Sequence, residues 1–276
     1  MKANGHISDM NVLYFDRKPF LEDFFRWNFV REAKAFCNIS CSSSIDDISK
    51  YDAVVVRDDD TGFKLDMPDA RRRLILSNND SYKQDDEVMP FAGDIDLLKV
   101  PIKKVRRLAK IYDVAMTLTD ETLYDIYKAA LDELLDCNVA ATLLVDARFC
   151  PLPKPDHVLY FRNWKYMRSI VKSSTVWYQP YVGHEVQDDS LVYTALVSNS
   201  YIVSDRRNGD CRFLKKNHLC KSLQEVAKKS KDLFEDHAQF DNEVGMQFAV
   251  GYSNLITKQR RAAKEICKRL EESFGS

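Results

Sequence analysis

Runs of three to five apolar residues bounded by charges recur along this chain, and from about Val105 they alternate with segments of helical period. Asn11–Phe15, Ala53–Val56 and Leu74–Leu76 read as short strands. Pro19–Cys37, with Pro19 opening a run that spaces Phe20, Phe24 and Trp27, predicts a helix. Cys41–Ser44 and Ser81–Glu87 read as loops. Further on, Leu108–Met116 is an apolar run containing Asp113. Thr119–Glu121 caps a helix whose apolar face is Leu123, Ile126, Tyr127, Ala130, Leu131 and Leu134. Strands follow at Ala140–Val145, His157–Phe161, Thr175–Tyr178 and Tyr201–Ser204, with helices at Asn163–Val171 and Ser190–Val197. Strands alternating with helices predict an α/β fold built on a parallel sheet with helices on both faces. Residues 212–276 read as helices.

In such a sheet the ligand crevice lies beyond the carboxyl ends of the strands. Asp113, Asp146 and Asp205 each fall near the end of an expected strand, and Asp188 and Asp189 stand where the helix Ser190–Val197 begins. Asp210 lies five residues beyond Asp205. Crowded carboxylates repel one another unless a cation sits among them, and hard cations such as Mg²⁺ or Mn²⁺ take oxygen ligands. Such a centre activates water and neutralises a phosphodiester. Arg206 and Arg207 directly follow Asp205 and suit a substrate phosphate, with Lys215 and Lys216 extending the patch. His184 is placed to shuttle a proton, and Trp177, Tyr178 and Tyr181 to stack on bases; loop and core roles serve these four equally well.

Composition narrows the picture without choosing a chemistry. With 276 residues, 45% apolar and 30% charged, the chain is an ordinary globular protein of one large or two modest domains. Its net charge of −1 gives no bulk argument for a nucleic-acid partner. Residues 212–276 carry 13 Lys or Arg against nine Asp or Glu, a local excess that suits either a polyanion or solubility. Seven irregularly spaced cysteines fit free thiols in a reducing compartment, cytoplasmic or nuclear. No apolar run of membrane-spanning length and no signal-peptide pattern is present.

Over roughly residues 105–215 the chain resembles the PIN-like nuclease superfamily, in particular its NYN branch and the protein-only RNase P metallonucleases. Asp113 in IYDVAM stands for the first-strand Asp, and Asp188 and Asp189 in QDDSLVYTAL for the acidic pair at a helix start. Tyr201–Asp205, YIVSD, stands for the strand-ending signal, and Asp210 for the trailing acid. The Gly-Asn that usually follows the first Asp is absent, and SDRR replaces an Asn-Asp pair; Asp146 or Asp16 in VLYFD are alternative sources of the first acid. The resemblance implies a PIN-like α/β/α sandwich over residues 101–215, an N-terminal α/β region over 1–100 and a C-terminal helical region over 216–276. It implies an endoribonuclease, a metal-binding hydrolase that cleaves RNA, with Mg²⁺ or Mn²⁺ held by Asp113, Asp188, Asp189 and Asp205. Asp210 would then be a further catalytic acid, with Arg206 and Arg207 on the phosphate.

The competing expectation is an inactive PIN-like RNA-binding or assembly protein that contacts a protein partner through the N-terminal region or the C-terminal helices. A nucleotidyltransferase reading rests on Asp94 and Asp96 in DIDLL, but EVMPFAG upstream lacks the Gly-Ser turn that chemistry needs. Neither G-x-G-x-x-G nor G-x-x-x-x-G-K-[ST] occurs, which argues against a Rossmann oxidoreductase or a P-loop enzyme.

Overall fold

A computed structural model of the chain describes residues 7–15, 29–42, 50–57, 73–76, 89–91, 97–98, 100–102, 104–106, 108–149, 155–162, 164–180, 190–205 and 209–274. They form two compact units, Met1–Pro101 with Leu255–Ser276, and Ile102–Asn254. The expected α/β class with parallel sheets and C-terminal helices is present, and the described strands form two five-stranded sheets.

The first unit carries strands β1 (Asn11–Phe15), β2 (Asn38–Ser42), β3 (Ala53–Arg57), β4 (Arg73–Leu76) and β5 (Met89–Phe91). They lie in the order β2-β1-β3-β4-β5, with every pair parallel. Ala53–Val56 is buried throughout, as a central parallel strand covered on both faces must be. Cys41 and Ser42, expected in a loop, extend β2 instead. That strand lies at the sheet edge and buries only Ile39, so its sequence carries almost no apolar signal. Phe29, Val30 and Ala33, from a helical turn at 29–33, pack with Val12, Tyr14 and Val55. Ala262, Ala263, Ile266 and Leu270, spaced as one helical face, complete this core. Asp16, Asp94 and Asp96 lie outside the described residues.

The second unit carries β6 (Tyr112–Leu118), β7 (Ala141–Asp146), β8 (Val158–Phe161), β9 (Ser174–Gln179) and β10 (Tyr201–Ser204). Its order is β10-β9-β6-β7-β8, again parallel throughout. Besides the helical residues 29–33, the α-helices among the described residues are α1 (Tyr124–Asp136), α2 (Trp164–Lys172), α3 (Ser190–Val197), α4 (Leu223–Glu235) and α5 (His237–Phe274). α5 supplies residues to the second unit as far as Asn254 and to the first from Leu255. Two helix ends explain themselves locally. Asn138 and Asn199 adopt φ of 55° and 64° just beyond α1 and α3, the left-handed exit that asparagine tolerates. Gly251 lets α5 approach closely, since a Cβ there would stand 2.6 Å from Leu196 Cδ2.

Lys110, just before β6, fastens the amino edge of this sheet. Its Nζ donates to the carbonyls of Lys172 (3.0 Å), Ser174 (2.9 Å) and Asn199 (2.8 Å), and lies 5.0 Å from the Phe240 ring centre. One ammonium thus satisfies carbonyls at the end of α2, the start of β9 and the turn after α3. Lys110→Met keeps the stem and removes all three donors. It is expected to cost at least about 2–4 kcal/mol, since hydrogen bonds to charged groups contribute about 1.5–3 kcal/mol each and, among the described residues, only Ser174 O keeps another side-chain donor, Ser200 Oγ at 3.1 Å. Thermal denaturation of the variant checks this.

Candidate functional site at the carboxyl edge of the second sheet

In the second unit the chain leaves β6 for β7 on one side and returns to β9 on the other. The strand order therefore reverses between β6 and β9, and a doubly wound sheet forms its ligand crevice at that point, beyond the carboxyl ends. β6 runs out through Leu118 to Asp120, whose carboxylate accepts from Thr122 N (3.0 Å) and Thr122 Oγ1 (2.8 Å) and so opens the turn into α1. β9 runs out through Gln179 to Pro180, both buried.

Gln179 holds the neighbouring loop at both ends. Ser204 Oγ donates to Gln179 O (3.2 Å), fixing the end of β10, and Cys211 Sγ donates to Gln179 Oε1 (3.3 Å), fixing the turn Gly209–Phe213. Cys220 N also donates to Ser204 O (3.0 Å), and Leu219 pairs with Ser204 as an isolated bridge. Ser204 and Cys211 are thus both held by Gln179 at the end of β9; Arg206 and Arg207 lie between them in sequence. Nothing in the apolar pattern singled out Gln179 or Cys211. The available signal was a polar residue closing a buried strand immediately before a proline, in TVWYQP.

Asp113 and Asp205 do not meet. Asp113 lies at the amino end of β6, where Oδ2 accepts from Ala140 N (2.7 Å). Asp205 lies at the carboxyl end of β10, half-buried, with Tyr178 Oη 3.5 Å from its Oδ2. Val114 is level with Val176, and Ser204 with Gln179, so the two acids stand five residues apart along parallel strands. That is about 16 Å at about 3.3 Å per residue, far beyond the reach of one ion. Asp146 does end β7, but its carboxylate accepts from Arg148 N, Nε and Nη2 at 3.0, 3.0 and 2.7 Å. Asp210 lies in the turn Gly209–Phe213. Asp188, Asp189, His184, Tyr181, Arg206 and Arg207 lie outside the described residues. Among the described residues, no group of three or more His, Cys, Asp or Glu side chains could hold a metal.

Two of the aromatic candidates, Trp177 and Tyr178, belong to the core. Trp177 is buried and donates Nε1–H to Thr117 Oγ1 (3.2 Å). Tyr178 is buried as well. Burial, and then the Asp205 carboxylate, push its phenol well above the usual tyrosine range, so it remains a neutral donor to Asp205. Lys215 and Lys216 are exposed, and Lys215 N donates to Nδ1 of the buried His218 (3.0 Å).

No protein-family model matches the chain, and no curated protein matches it in sequence. Solved structures do match. One is the DNA-modifying enzyme beta-glucosyltransferase, studied with and without its substrate uridine diphosphoglucose. Its TM-score is 0.56 at 10% identity, covering 97% of this chain and 100% of that one. The T4 phage enzyme in complex with UDP and Mn²⁺ gives 0.54 at 10% identity, covering 96% and 99%. A further T4 phage beta-glucosyltransferase structure gives 0.53 at 11% identity over the same shares. The likeness shows the fold, that of glycosyltransferases of the GT-B type, in which each unit has its own parallel sheet.

This overturns the PIN-like assignment and, with it, the nuclease, endoribonuclease and hydrolase reading. The inactive PIN-like alternative fares no better, and an RNA partner loses its support. The physical reason is visible in β6: a first-strand Asp at the amino end of its strand cannot join a centre at the carboxyl edge. No described helix is long and apolar enough to cross a membrane.

Proposed function

We propose that this protein is a glycosyltransferase that takes its sugar from a nucleoside diphosphate sugar. The observation that carries the reading is the fold likeness to T4 phage beta-glucosyltransferase along 96% of the chain. The strand order of each sheet also reverses once, between β1 and β3 and between β6 and β9, and doubly wound sheets bind ligands at such a switch point. UDP-glucose, the substrate of the T4 phage enzyme, is the first donor to test.

In the proposed reaction an acceptor hydroxyl oxygen bonds to the anomeric carbon. The bond from that carbon to the diphosphate oxygen breaks, and the electron pair leaves with the diphosphate. The hydroxyl proton passes to a base or to water. Charge therefore develops on the leaving diphosphate, and fixed cations facing it lower the barrier. We assign that task to Arg206 and Arg207, which follow β10 in sequence between Ser204 and Cys211, two residues that bond to Gln179. A divalent cation beside the diphosphate is compatible with this reading. The described side chains form no cage for one, and Asp113 and Asp205 stand too far apart to share an ion.

The test is binding first and turnover second. UDP is expected to raise the melting temperature of the intact chain, and UDP release from UDP-glucose to be slow by hydrolysis without acceptor and faster by transfer to duplex DNA or a saccharide acceptor. Absence of any melting shift or calorimetric heat with millimolar UDP, GDP, CDP, ADP or dTDP would sink the proposal.

A further inference from the structure

Two of the cysteines face each other inside the first unit. Cys37 ends the turn that follows helical residues 29–33, and Cys267 lies on α5, with 230 positions of sequence between them. Their sulfurs stand 3.8 Å apart, and both residues are buried, at 5% and 2% exposure. A disulfide needs about 2.05 Å between sulfurs, so each must travel just under about 1 Å. That is within the reach of a small side-chain rotation and needs no rearrangement of the core. The neighbourhood is apolar, with Ala33, Ile266, Leu270 and Phe36 in the same cluster.

The two thiols are not equivalent. The hydrogen bond from Cys267 holds Cys37 below the ordinary cysteine value, although burial opposes it, and the same bond together with burial pushes Cys267 up. Cys37 is the more accessible of the two, at 5% against 2% exposure, so it meets an oxidant first and Cys267 is the partner that resolves it. Its position beside exposed Lys34 and Ala35 also brings it nearer to solvent than Cys267 on the helix.

We propose that Cys37 and Cys267 form a reversible disulfide when the protein meets a peroxide, locking the C-terminal part of α5 to the β-sheet of the first unit. The Cys37 thiolate attacks one peroxide oxygen and the O–O bond breaks. The departing hydroxide takes a proton to become water, and the sulfur becomes a sulfenic acid. The Cys267 sulfur, losing its proton, then attacks the sulfenic sulfur, and the S–O bond breaks with release of the second water. Two thiols and one peroxide thus become one disulfide and two waters, and the two electrons lost by sulfur reduce the peroxide. A thiol reductant restores the pair by exchange.

The experiment treats the intact chain with stoichiometric hydrogen peroxide, blocks remaining thiols with N-ethylmaleimide in denaturant, and maps peptides without reduction. The expected result is a cross-linked peptide joining Cys37 to Cys267, a loss of two hydrogen masses, and a rise in melting temperature that dithiothreitol reverses. Cys267→Ser, close to isosteric, should leave Cys37 to accumulate as sulfenic acid that a dimedone probe captures. The proposal is overturned if Cys37 and Cys267 stay fully alkylatable while exposed Cys41 is oxidised, or if the disulfide found joins other cysteines. The mapping on the unsubstituted protein decides the matter even if the serine variant fails to fold.

Discussion

Gln247→Leu is expected to destabilise the second unit by about 2–6 kcal/mol. β10 is an edge strand, with β9 on one side only. On its other side the Gln247 side chain, reaching in from α5, takes the place of a neighbouring strand. Its Oε1 accepts from Ile202 N (2.8 Å), and its Nε2 donates to Ile202 O (2.7 Å). Gln247 is 2% exposed and Ile202 fully buried, so water cannot replace either bond. Leucine matches the volume but leaves one buried N–H and one buried C=O unsatisfied. Each such orphan costs about 1–3 kcal/mol, which gives the stated range. Amide hydrogen exchange at Ile202 is the direct readout, since it reports local opening even if the two units unfold separately. Exchange accelerated by about 30-fold or more confirms the clasp; an unchanged rate means β10 does not depend on Gln247. Gln247→Glu sharpens the test, because an ionised carboxylate keeps an acceptor for Ile202 N–H but turns a second oxygen toward Ile202 O.

The same clasp shows what a linear pattern can and cannot report. Asn11–Phe15 and Tyr201–Ser204 were legible to the residue, because an uninterrupted apolar run is what a strand buried on both faces requires. The helix Ser190–Val197 was legible for the same reason. β2 was not, since an edge strand that buries only Ile39 resembles a loop. Met89–Phe91 escaped notice too, being a three-residue edge strand with Pro90 at its centre. Gln247 and Lys110 looked like ordinary polar surface; their partners are backbone groups 45 and more positions away, which no local period encodes.

The site failed to be read for a more specific reason. Acids near strand ends suggest a metal centre only if they share an end, and sequence order does not reveal which end a residue occupies when the strand boundary is uncertain by a few residues. Taking the apolar run as Leu108–Met116 left Asp113 inside it with its end unspecified, whereas β6 begins at Tyr112 and runs on to Leu118. The shift moved Asp113 to the amino edge and dissolved the constellation. Residues 1–100 posed the opposite problem: their strands were expected one by one, but nothing local announced that β1 to β5 close a complete doubly wound sheet of their own. With one sheet in view, a single-sheet nuclease was the natural inference; with two, it is not.

The substitution with the largest expected effect on activity is the pair Arg206→Ala and Arg207→Ala. If these guanidiniums face the diphosphate, each forms charge-assisted hydrogen bonds worth about 1.5–3 kcal/mol. Removing both should lower kcat/KM for a nucleotide sugar by about 10²–10⁴-fold, from about 3–6 kcal/mol of lost stabilisation. The split between parameters carries the mechanism. Cations that only bind the ground-state diphosphate would raise KM and the UDP dissociation constant while sparing kcat, whereas cations that meet charge developing on the leaving group lower kcat as well. Arg206→Lys with Arg207→Lys keeps the charge and loses the planar fork, so partial recovery is expected. The melting temperature of each variant should stay close to that of the parent, because the flanking anchors, Ser204 and Cys211 on Gln179, remain in place. Retained UDP affinity and unchanged turnover in the double alanine variant would remove these arginines from the site and move the search for the diphosphate's cations to the other carboxyl-edge basic residues, beginning with Arg162 just beyond β8.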